Sequence, residues 1–130
     1  MADYGYSKET PLSYEDAVEK TRQELKKEGF GVLTEIDVKA ALKKKIDVDF
    51  DEYIILGACN PSFAHKALLA EREIGLMMPC NVIVYKNKGK TYVSAILPSS
   101  AMSMINNPAL KKIAEEAEAK LKKVVNTTCS

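Results

Sequence analysis

The chain has 130 residues, and its 28% charged and 46% hydrophobic residues are ordinary proportions for a folded protein, so we expect one domain over residues 1–130. A formal net charge of +1 gives no electrostatic reason to expect nucleic acid or an anionic membrane as the main partner. The sequence has no bilayer-length apolar stretch and no signal-like segment in its first four residues, so we expect a cytoplasmic location.

The first half of the chain predicts strands alternating with helices. Weak alternation predicts a strand over 3–9, and Ser13 is a typical N-cap for an amphipathic helix over 13–28. A second strand is expected over 30–38, with Val32, Ile36 and Val38 on one face. A short basic helix is expected over 39–46.

The second half predicts a short helix inserted between strands, followed by a hairpin and a long helix. We expect strands at 53–58, 80–85 and 91–97, a helix at 61–72 and a loop at 75–79. A strong 3.6-residue apolar stripe then predicts a final helix that begins at Asn107-Pro108, with a frayed tail from Asn126 to Ser130. The hairpin implies antiparallel pairing, and two long amphipathic helices need a sheet face to cover, so the fold class is α+β.

Two cysteines at strand ends carry the chemistry that the sequence offers. Cys59 ends one predicted strand and Cys80 begins the next, and each is followed by asparagine, Asn60 and Asn81. If the two strands are antiparallel neighbours, the cysteines lie close together. If the strands form a parallel unit, six residues separate them by roughly 20 Å. We favour the antiparallel arrangement because of the later hairpin.

The role of these cysteines stays open at the level of sequence. Cys59 precedes a helix N-terminus, where a thiolate is stabilised, but a free cysteine more often packs as a small apolar residue. His65 is the only histidine and could join the two thiols around zinc or copper. The spacing matches no established zinc motif, so we assign no metal ligands. The candidate ligand-binding residues are Cys59, Asn60, His65, Cys80 and Asn81.

Three functions are compatible with these residues. The first hypothesis is a binding module for a small ligand or a soft metal ion near Cys59 and Cys80. The second is a thiol redox enzyme or sensor that uses the same two cysteines. The third is an interaction or assembly protein whose cysteines only pack. The sequence contains no Walker, GxGxxG, HExxH or CxxC motif, so no catalytic residue and no cofactor can be named.

The segments 57–61, 74–76 and 79–81, together with 29–32 and 36–38, resemble the family catalogued as domain of unknown function 302. The resemblance covers nearly the whole chain. It implies a curved antiparallel sheet with two long amphipathic helices on one face, similar to the TATA-box-binding-protein architecture, and it implies a homodimer. It implies no DNA binding, because fold and function are separable. Relatives often have an acidic residue before the proline that follows the last strand, whereas this chain has Leu97 there, so an acid of any shared site would be missing.

Overall fold

One five-stranded antiparallel sheet, in the order β1-β5-β4-β3-β2, organises the protein. The structure is a computed structural model that describes residues 3–130. The strands are β1 (Gly5–Thr10), β2 (Gly31–Asp37), β3 (Tyr53–Cys59), β4 (Cys80–Asn87) and β5 (Lys90–Ile96). The sheet is not closed into a barrel, and with its helices it confirms the α+β class.

Five α-helices connect and cover the strands. They are α1 (Tyr14–Lys27), α2 (Val38–Ile46), α3 (Pro61–Ala70), α4 (Pro98–Ala101) and α5 (Pro108–Cys129), with a 3₁₀ helix at Arg72–Met77. Ser13 caps α1 as expected, since its Oγ accepts a hydrogen bond from the Asp16 amide at 3.1 Å. The long helices α1 and α5 pack on one face of the sheet, and α3 lies between β3 and β4 in the chain.

The main core lies between this sheet face and the two long helices. Alternate residues of β3, namely Ile54, Leu56 and Ala58, are buried there together with Leu25 of α1 and Leu121 of α5. Burying a side chain of this size contributes about 1.5–3 kcal/mol, so this layer supplies much of the driving force for folding. The alternate residues of β3 point to the other sheet face, which α1 and α5 leave uncovered.

The register of β2 differs from the regular alternation expected for residues 30–38. The pairing with β3 shifts between Val32 and Thr34. Val32 therefore packs against the core, whereas Ile36 lies on the opposite face and is 51% exposed. The prediction that both residues share one face was wrong, because the extra residue of a bulge reverses the side-chain alternation beyond it.

Two further expectations about local structure were wrong. The frayed tail is instead the last turn of α5, where Thr128 is fully buried and the Cys129 thiol lies 3.7 Å from the Lys8 carbonyl oxygen. The predicted loop at 75–79 is partly a 3₁₀ helix that buries Ile74. Tertiary packing orders both segments, and the helix propensity of the local sequence does not predict such packing. Within residues 3–130, no helix has the length and apolarity needed to span a membrane.

Candidate functional site

The pairing of β3 with β4 brings Cys59 and Cys80 to the same end of the sheet. The strands are antiparallel, and Cys80 is paired with Ala58, the residue before Cys59. This confirms the antiparallel arrangement favoured from the later hairpin. The chain between the two cysteines leaves the sheet as α3 and the 3₁₀ helix and then returns, so both structures sit over this sheet end.

The side chains of the two cysteines nevertheless have different surroundings. Successive residues of a strand point to opposite faces, so Cys80 shares the helix-covered face with Ala58 while Cys59 follows on the other side. Cys80 accordingly packs against the main core. Both cysteines are free thiols.

A small apolar cavity of about 50 Å³ lies on the helix-covered side of this sheet end. Alanines at helical spacing form two of its walls, Ala64 and Ala67 from α3 facing Ala114 and Ala117 from α5. Side chains this short cannot fill the space between two helices and a sheet, so a void remains. Cys80 lines this cavity from the helix-covered face, and Cys59 borders it at the end of the sheet, where the chain turns into α3.

Aromatic and thioether side chains line other parts of the cavity. Phe30 precedes β2, Phe63 comes from the first turn of α3, and Met78 and Met102 come from the segments that follow the 3₁₀ helix and α4. Methionine is unbranched and flexible, so these two side chains can adapt to an occupant. The cavity therefore has a rigid alanine interior and a more adaptable border.

The thiol of Cys80 behaves as part of this apolar wall. Burial raises its pKa to about 11, and the nearby Cys59 thiol adds to the shift. A thiol with such a pKa is protonated at neutral pH and is a poor nucleophile and a poor metal ligand. Cys80 is therefore better suited to contact an apolar group than to perform thiol chemistry.

Asn60 has a structural role that its position in the sequence partly predicts. Its Oδ1 accepts a hydrogen bond from the Phe63 amide at 3.5 Å, which caps α3, as expected from the Asn60-Pro61 pair. Its Nδ2 also donates to the Glu28 carbonyl oxygen at 3.4 Å, beyond the end of α1. Both polar groups of this amide are thus directed at backbone, so it is not a free ligand donor.

The two remaining candidates lie away from the cavity. Asn81 is paired with Gly57 and exposed on the opposite sheet face. His65 is exposed on α3 and does not border the cavity. Within residues 3–130, no three His, Cys, Asp or Glu side chains come together in a way that could hold a metal ion.

Sequence reasoning missed the cavity, although it placed the alanines that create it on the inward faces of two helices. The four alanines of α3 and α5 carry no chemistry, and on each helix their spacing of three residues resembles ordinary core packing. The one available signal is that small residues recur on the inward faces of two helices that the fold packs together. Met102 was also missed, because no helix was expected at Pro98–Ala101.

Comparisons with known proteins give a family and a close structural neighbour. The sequence model of the family described as domain of unknown function DUF302 matches residues 6–128. A crystal structure of an uncharacterized conserved protein DUF302 from Bacillus stearothermophilus is 32% identical, with a TM-score of 0.92 over 99% of this chain and 100% of that one. No curated protein matches the sequence.

The two asparagines that follow the cysteines form a matched pair for mutation. We expect Asn60→Ala to lower the free energy of unfolding by about 1–2 kcal/mol, since it removes a helix cap and the bond to Glu28. Asn81→Ala, at an exposed position, should change it by less than about 0.5 kcal/mol. Urea denaturation measures both values, and equal losses would contradict the capping role.

The raised pKa of Cys80 predicts a slow, pH-dependent reaction with iodoacetamide. At pH 8 its thiolate fraction should be about 100-fold lower than that of a thiol at the ordinary value of 9.0, because two pKa units separate them. Peptide mapping by mass spectrometry after timed alkylation should therefore show the reaction of Cys80 accelerating toward pH 11. The same residue in urea-unfolded protein is the control. A native rate equal to the unfolded one would overturn the assignment.

Proposed function

Because the chain belongs to the family described as domain of unknown function DUF302, which names no activity, we propose its function from its geometry: it is a binding module for a small apolar group. The group occupies the cavity between α3, α5 and the paired ends of β3 and β4. The single observation that carries this proposal is the apolar cavity itself, with Cys80 and four alanines in its walls. The cytoplasmic location stays a prediction from the sequence.

The lining of the cavity favours an apolar occupant. Protein interiors are close-packed, so a cavity of about 50 Å³ with apolar walls offers its contacts to a small apolar group. An apolar group that enters recovers the missing dispersion contacts. Ala64 and Ala67 could be larger in a purely structural core, and their small size is what keeps the space open.

The same geometry gives less support to thiol redox chemistry or a soft metal ion. Redox chemistry between Cys59 and Cys80 needs thiols that face each other, and a metal needs ionised thiolates. Strand alternation separates the two side chains, and burial keeps Cys80 protonated. An apolar ligand needs neither thiolate, so it is the occupant we propose.

Xenon, a small apolar atom, tests the cavity directly. We expect dissolved xenon to shift the amide and methyl NMR signals of cavity residues such as Ala58 and Ala67. Ala67→Val should reduce these shifts several-fold, since two added methyl groups take up much of about 50 Å³. Ala119→Val on the exposed side of α5 is the matched control and should leave them unchanged. Xenon shifts that are absent from the wild-type protein would refute the proposal.

We propose in addition that the protein is a homodimer, formed by the sheet face that α1 and α5 leave uncovered. Tyr53, Tyr85 and Tyr92 stack across three strands of this face, with successive ring centroids 5.3 Å apart. Isoleucines extend the apolar surface over three strands, namely Ile36, Ile55 and Ile83. Among the residues paired in the sheet, the charged ones on this face are Glu9 and Lys90, which lie at one corner with their charged groups 3.8 Å apart.

The size and chemistry of this face fit a second copy of the chain. Five strands about 4.8 Å apart and six residues long present on the order of 500 Å² per protomer. A pair would bury about 1,000 Å², which is the lower bound for a specific interface. Apart from the Glu9–Lys90 pair at its corner, this face is uncharged, so it can pack on its own copy without burying unpaired charges. Sheets commonly pack face to face in this way.

A buried charge should dissociate this dimer. We expect the wild-type protein to sediment at twice the 14.4 kDa mass of the chain, and Ile83→Asp to weaken association at least tenfold, because symmetry buries two carboxylates. Leu69→Asp is the control, since Leu69 is 71% exposed on α3 and outside the sheet. Circular dichroism verifies that both variants fold. A wild-type protein that is monomeric at tens of micromolar would contradict the proposal.

A further inference from the structure

A second depression adjoins the apolar cavity. This outer cleft has a volume of about 630 Å³ and lies between α4, the segment that follows it and the first turn of α5. Met102 and Ala114 line both spaces, so the two are neighbours separated by one flexible side chain and one alanine. The outer cleft is mixed in character, since Ser103, Asn106 and Lys111 line it as well.

The inner cavity alone is too small for a typical ligand. Its volume of about 50 Å³ compares with roughly 300–1,000 Å³ for sites that hold organic ligands. A molecule that puts only a few carbon atoms into it must extend outward to gain further contacts. The space shared at Met102 and Ala114 leads such a molecule into the outer cleft.

The charges around the outer cleft favour an anionic head group. Lys111 is the one charged residue in its lining and is exposed, and within residues 3–130 it forms no salt bridge. The carboxylate of the nearby Glu118 already has other partners. One of its carboxylate oxygens accepts hydrogen bonds from the amide and hydroxyl of Ser99 at 3.1 and 2.5 Å, and the other lies 3.7 Å from Lys122.

We propose that the inner cavity and the outer cleft form one site for a short-chain carboxylate. The alkyl end passes Met102 into the inner cavity, and the carboxylate lies in the outer cleft near Lys111 and Asn106. The side-chain amide of Asn107 is not part of the head-group site, because it donates to the Ala70 carbonyl oxygen and caps α5. This inference rests on the proposed apolar binding function and names the ligand class.

Hexanoate and 1-hexanol, which share the six-carbon chain, test the proposal at pH 7. In NMR titrations both should shift signals at the inner cavity, including Ala58 and Ala67, and hexanoate should also shift Ser103 and Asn106. We expect hexanoate to bind about three- to fivefold more tightly than hexanol, the range of an exposed ion pair. This advantage should decrease at high salt, because ions screen exposed charges.

Two adjacent lysines of α5 provide a matched pair of variants. Lys111→Gln should remove the preference for hexanoate over hexanol, whereas Lys112→Gln, exposed and outside the cleft, should retain it. Equal affinities of hexanoate and hexanol for the wild-type protein, or equal effects of the two substitutions, would overturn the carboxylate proposal. Xenon shifts at the inner cavity would then still support the apolar binding function. Absence of xenon and hexanol shifts there would refute both.

Discussion

The antiparallel pairing of β3 with β4 is the constraint on which the rest of the structure depends. Because Ala58 pairs with Cys80, the chain between them must leave and re-enter the sheet at the same end. Helix α3 and the 3₁₀ helix form this excursion, and α5 packs against α3. The facing surfaces of the two helices carry alanines, so the contact leaves a cavity where longer side chains would have closed it. The register of the strands therefore determines where the cavity lies, and the short side chains of the alanines determine its size.

Two Asn-Pro pairs stabilise this arrangement through the same kind of hydrogen bonds. Asn60 caps α3 and donates to the Glu28 carbonyl oxygen, while Asn107 caps α5 and donates to the Ala70 carbonyl oxygen at 2.9 Å. Each asparagine thus begins one helix and binds the end of another. Gly29 makes room for the first of these contacts, since a Cβ there would lie 3.1 Å from Asn60 Nδ2 and its φ of 85° favours glycine. Hydrogen bonds between asparagine side chains and backbone groups therefore hold α3, one wall of the cavity, at both of its ends.

Much of this architecture can be read from the sequence, and the failures have identifiable physical causes. Helix α1 follows from its cap and its apolar stripe, and the β4–β5 hairpin from the turn at Lys88-Gly89. The bulge near Thr34 left no local signal, because it depends on how β2 meets β3. Only one part of the candidate site could be predicted from the sequence. The proximity of Cys59 and Cys80 follows from strand order, whereas the void beside them depends on which alanines of two distant helices face each other.

The two faces of the sheet can serve the two proposed roles independently. Along β3, Ile54, Leu56 and Ala58 face the helices, while Tyr53 and Ile55 face the uncovered side. A ligand in the cavity would contact Ala58 of the first set, and a second protomer would contact the other set, so neither needs the other to bind. The contacts around Gly57 show that the cavity and the uncovered face are not fully independent. A Cβ at Gly57 would lie 2.9 Å from Pro79 Cγ and would also collide with Thr34 Oγ1, so the segment that leads into Cys80 packs directly on the uncovered face. Any movement that opens the cavity through this segment would therefore also move a part of the proposed dimer face.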